Sequence, residues 1–64
     1  MLIDYAYPCM MAEKAMKDVH RCMLGRSYEE ALERAQDCVA HVEAVMFAIT
    51  HMRDEHARKA QAGV

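Results

Sequence analysis

The sequence predicts an all-α protein, a two-helix antiparallel hairpin with a short first helix and a long second helix, assembling into a homo-oligomeric helical bundle. Three observations carry that expectation. Apolar residues recur at three- and four-residue spacing along two stretches, which is the period of an amphipathic helix. The link between them, Gly25-Arg26-Ser27, is so short that the helices must fold back on each other. Finally, the stretch from Cys38 to Met52 is interrupted only by His41, Glu43, Thr50 and His51. A helix apolar on nearly every face has to be buried, and a chain of 64 residues has little material with which to bury it. The expected organisation is a single domain over residues 1–64, with helix 1 over about 5–24, a turn at 25–27 and helix 2 over about 28–61.

A chain of this length gives a core of marginal stability, and a disulfide, a metal or self-association is commonly recruited to hold it. Hydrophobic residues make up 55% of the chain but aromatics only 6%, so the core must come from Ala, Val, Met and Cys. The seven methionines read first as adaptable filler, and second as an adaptable binding surface. A net charge of -2 offers no clustered basic face, so nucleic acid is not an expected partner. Cys9, Cys22 and Cys38 form no CxxC pair and sit in apolar helical contexts, as buried free thiols do. No charged and then apolar leader opens the chain, which makes a cytoplasmic location the expectation. The apolar runs Cys38–Val42 and Ala44–Ile49 fall short of the roughly 20 residues that a membrane span needs.

The apolar opening Met1-Leu2-Ile3 is expected to be tied down by packing. Asp4 can cap the first helix, and Pro8 is tolerated in a first turn, where amides have no intrahelical acceptor anyway. Tyr5 and Tyr7 flank this entrance as an amphipathic lid over the end of the core. From there Cys9, Ala12, Ala15, Met16, Val19, Cys22 and Met23 mark the buried stripe. Glu13, Lys14, Lys17, Asp18, His20 and Arg21 form a solvated face, with Glu13 and Lys17 at the favourable i,i+4 spacing. Met10 and Met11 widen the stripe beyond what one partner helix covers.

At the turn, Gly25 is expected in the left-handed position that ends helix 1, and Ser27 and Glu30 have capping-box spacing. Gly25, Tyr28, Ala31 and Ala35, within LGRSYEEALERA, resemble the turn of a tetratricopeptide repeat. The spacing from Gly25 to Tyr28 is one residue longer than in that family, and one hairpin stands where such arrays stack at least three repeats. The resemblance therefore implies hairpin geometry and no peptide-binding function.

Along helix 2, Ala31, Ala35, Cys38, Val42, Val45, Ile49, Met52 and His56 follow alternating steps of three and four, a heptad seam. Leu32, Val39 and Met46 run beside it, and Ala40, Ala44 and Phe47 line what should be the outer face. Helix 2 is about twice as long as helix 1 at about 1.5 Å per residue, so its far half should overhang. Val42, Val45, Met46, Phe47, Ile49 and Met52 are accordingly the expected oligomer interface, since an exposed apolar patch marks an interface or an aggregation hazard. RDEHARKAQ reads as a solvated end that Gly63 can stop.

Chemistry-bearing residues are few. Cys38 and His41 stand three apart, as two zinc ligands can, but a structural site wants about four and no second matched pair exists, so no metal or cofactor is expected. His51 with Asp54 or Glu55 reads as a surface pair. His41 and Glu43 lie within the apolar segment about 200° apart on the helix, so each needs its own partner. They either fix register in the oligomer or, with Tyr5, Tyr7, Lys14 and Arg34, line an inter-subunit pocket. No glycine-rich phosphate loop and no nucleophile with an evident base is present, so an enzyme is not expected. The functional expectation is a small oligomeric binding protein, an inhibitor or adaptor whose partners are itself and another protein. The alternative is a symmetric oligomer that sequesters a small anionic ligand, such as a nucleotide.

Overall fold

The computed structural model describes residues 4–62; the expectations for Met1-Leu2-Ile3 and for Gly63 lie outside them. Within them the chain is two helices and a turn: α1 over Ala6–Leu24, of 19 residues, and α2 over Tyr28–Ala62, of 35. At α1's start the carboxylate of Asp4 accepts the Ala6 N–H at 2.9 Å, satisfying one of the amides a helix start leaves free. Tyr5 C=O takes the Cys9 N–H at 3.1 Å. Pro8, which has no N–H, sits in that first turn at no cost in hydrogen bonding.

The turn corrects one expectation. Gly25 has φ -86° and ψ 0°, and the left-handed residue is Arg26, with φ 60°. Arg26 N–H donates to Met23 C=O at 3.1 Å and Ser27 N–H to Cys22 C=O at 2.8 Å. This pair of bonds defines a Schellman cap with Arg26 in the place glycine usually takes. Glycine is absent from the one position where its freedom would relieve strain. A Cβ on Gly25 would meet Arg21 O, Cys22 O and Ser27 Oγ at 3.7–3.9 Å, which is ordinary contact. The bonds closing the turn are main-chain ones, including Ala31 N–H to Ser27 C=O at 2.9 Å, rather than a Ser27–Glu30 side-chain exchange.

The helices meet through small side chains. Ala15 on α1 and Ala31, Cys38 and Ala48 on α2 are buried, and the Cys38 thiol reaches Ala12 C=O at 3.5 Å. Small residues let two helix backbones approach closely, and this sets which face of α2 turns inward. The contact line runs through Ala31, Cys38, Val45 and Ala48, with Arg34, Ala35 and His41 half-buried beside it. The expected seam shares Ala31, Cys38 and Val45 with this line but departs at the flank, because Val42 and Ile49 are exposed. Ala48, the smaller residue, takes the inward place expected for Ile49.

The molecule measures 57 × 17 × 13 Å, with a radius of gyration of 16.3 Å. A compact domain of this length has a radius near 11 Å. The accessible surface is 5482 Å², about 1,300 Å² above the ~4,200 Å² expected for a compact monomer of this mass. A two-helix hairpin has one layer, and its second side of apolar residues meets no further element among the described residues.

Candidate interaction surface

The two long sides of the hairpin differ in chemistry. On one side Cys9, Ala12 and Met16 of α1 face Cys38, Val42 and Val45 of α2 across a groove of about 510 Å³, with Glu13 and Lys17 at its rim. Because α2 turns about 100° per residue, Leu32, Val39 and Met46 lie on the same flank as Val42. All three are more than half exposed, as is Met16 on α1. Together they make an apolar strip along the hairpin.

The opposite side is charged. Lys14, Asp18, Arg34, Asp37 and His41 line one groove there with Met11 and Ala15, and Lys14, Asp18, Arg21, Glu30 and Arg34 line its continuation toward the turn. Arg21 pairs with Asp18 at 3.3 Å, and Arg34 with Asp37 at 3.4 Å and Glu33 at 3.7 Å. Every ion pair among the described residues stays within one helix, so these charges solvate a face and do not clamp α1 to α2. Exposed pairs of this kind contribute little to stability. The Arg34 Nε is the exception, a buried donor with no acceptor among the described residues.

The residues expected to line a ligand pocket divide. Lys14, Arg34 and His41 come together in the charged groove. Tyr5 lies elsewhere, at the far end of α1, over Ile49, Met52, Arg53 and His56 of α2. Tyr7 and Glu43 are exposed and line neither site. Glu43 therefore needs no buried partner. Cys38 and His41 diverge to opposite sides of the hairpin, Cys38 lining the apolar groove and His41 the charged one, so helical spacing alone does not make them a pair. Among the described residues no group of three or more His, Cys, Asp or Glu could hold a metal ion.

Of the residues expected at an oligomer interface, Val42, Met46, Phe47, Ile49 and Met52 are exposed, and Val45 is half-buried beneath α1. The cause of exposure differs among them. Val42 and Met46 lie alongside α1 but on the flank that α1 does not reach, whereas Ile49 and Met52 lie at its very end, under Tyr5. Phe47 is about 180° around the helix from Cys38, and its ring stacks on His51 with centroids 6.4 Å apart. It belongs to a third face. Sequence periodicity placed Val39 and Leu32 beside the seam without singling them out; what marks them is that Ala48, not Ile49, packs inward.

Among the described residues no helix is long and apolar enough to cross a membrane. No family model matches the chain, and no curated protein or solved structure matches it.

Proposed function

We propose that this chain is a non-enzymatic binding protein that works as a homo-oligomer, its apolar strip covered by a second copy, and that the assembly acts as an adaptor or inhibitor through contacts with another protein. The carrying observation is the uncovered strip of Leu32, Val39, Val42 and Met46, continuous with the groove between the helices. Exposed apolar surface of this extent on a small chain favours association. The excess surface of about 1,300 Å² exceeds the roughly 800 Å² per partner of a standard stable interface, so a second copy can be accommodated by surface the monomer leaves in water. Covering the strip leaves the charged face and the projecting end of α2 for another protein. Light scattering coupled to size exclusion tests the assembly: the expected mass is a multiple of 7.3 kDa, and a monomer at every concentration would remove the basis of this reading.

A second reading, sequestration of a small anion such as a nucleotide, draws on the charged groove, where Lys14, His41 and the unpartnered Arg34 Nε converge. Asp18 and Asp37 line the same groove and oppose an anion. Native mass spectrometry of protein taken gently from its expressing cells separates the readings. Extra small mass on a defined oligomer favours sequestration; a bare oligomer favours protein contacts.

A further inference from the structure

Resting on the self-association proposed above, we infer that the second copy covers α1 and α2 together, face to face, completing a three-layered four-helix core, and that the projecting end of α2 stays outside it. Residues seven apart fall on one side of a helix, with a drift of about 20° per step. On α1 Pro8, Ala15 and Cys22 form one such row, and on α2 Ala31, Cys38 and Val45 form another. All six are buried or half-buried. These rows face each other inside the hairpin, where the Cys38 thiol meets the Ala12 carbonyl.

One residue beyond each member lies a second pair of rows, Cys9, Met16 and Met23 on α1 and Leu32, Val39 and Met46 on α2. A step of one residue turns a side chain by about 100°. Because the helices are antiparallel, that step carries both rows to the same side, the side of the apolar groove that Cys9, Met16 and Val42 line. All but the half-buried Cys9 are exposed. The antiparallel register sets Cys9 level with Met46, Met16 with Val39 and Met23 with Leu32, three half-layers of two side chains each. In a four-helix bundle the core is built from such positions on all four helices. A two-fold copy presents the same face, so it supplies the missing half of every layer at the same spacing.

The apolar face also ends where α1 ends. The next member of the α2 row is Arg53, with Thr50 beside it. In the projecting end, Ile49 and Met52 lie under Tyr5, and Phe47 stacks on His51 on a third face. A pairing of α2 alone through that end would need the exposed row to stay apolar.

Two measurements on the full chain test this. In the unmodified protein, alkylation of Cys9 by iodoacetamide, located by peptide mass, is expected to slow by about tenfold or more at concentrations where light scattering shows the oligomer, because covered thiols react poorly. The buried Cys38 serves as the slow reference at every concentration. A Cys9 rate that stays constant while the mass rises would leave α1 outside the interface and overturn the inference. In the second measurement, Met16→Lys and Val39→Lys, one on each helix, are each expected to weaken association by about 100-fold, since each buries a charge. Phe47→Lys is expected to change it by less than about threefold. Dissociation by Val39→Lys but not by Met16→Lys, or by Phe47→Lys as strongly as by either, would also overturn it. A monomeric mass for the unmodified chain at every concentration removes the self-association reading itself, which separates the two failures.

Discussion

The hairpin's two long sides come from the same two helices and the same turn, yet one presents Met16, Leu32, Val39, Val42 and Met46 and the other Lys14, Asp18, Arg34, Asp37 and His41. Neither side is held together by what it displays. The ion pairs of the charged side run along single helices, and the apolar strip points away from the contact line. What joins α1 to α2 is a narrow row of small residues, Ala15, Ala31, Cys38 and Ala48. So little apolar surface is buried there that the hairpin by itself is weakly driven, and the larger hydrophobic reserve lies on one outer side.

Breaking the apolar side should have the largest effect. Val42→Asp puts a carboxylate into the apolar strip and is expected to weaken association by about 100-fold or more, about 3 kcal/mol, read by analytical ultracentrifugation. If the mass distribution is unchanged, the strip is not the assembly surface. Enlarging the row between the helices comes next. Ala48→Leu is expected to cost about 1–3 kcal/mol in a urea melt, because a larger side chain must push α1 off α2. Unchanged stability would mean the helices do not approach through Ala48.

The turn separates two neighbouring residues. Arg26→Gly should raise stability by about 0.5–1 kcal/mol, since Arg26 occupies the left-handed region and glycine does so without penalty. Gly25→Ala should leave the thermal midpoint at or slightly above its starting value, as a methyl there meets only ordinary contacts. A large loss on Gly25→Ala would put the left-handed residue at Gly25 after all. The charged side should yield least: Asp37→Asn removes one exposed partner of Arg34 and is expected to change stability by less than about 1 kcal/mol, with no change in oligomer mass. A change in mass would transfer the assembly surface to the charged side.

Much of the architecture could be read from periodicity. The two apolar stripes and the short Gly25–Ser27 link indicated a hairpin with a short and then a long helix, and Asp4 and Pro8 located the start of α1. The candidate sites were legible only in part. Lys14, Arg34 and His41 do share a groove, but Tyr5, Tyr7 and Glu43 lie apart from it, because spacing within a helix fixes an angle on that helix and says nothing of where the other helix packs.

By itself the sequence determined the period, the turn's position and the surplus of apolar residues over what two helices can cover, since these follow from local geometry and composition. Only the tertiary structure decided that α2 turns Ala48 inward and leaves Val42 and Ile49 out, and that Arg26 takes the left-handed turn position. Heptad steps permit two adjacent rows to serve as the seam, and small side chains such as Ala48 let the backbones of α1 and α2 approach where Ile49 would hold them apart; at the turn, the paired main-chain bonds of the cap set the left-handed residue at Arg26.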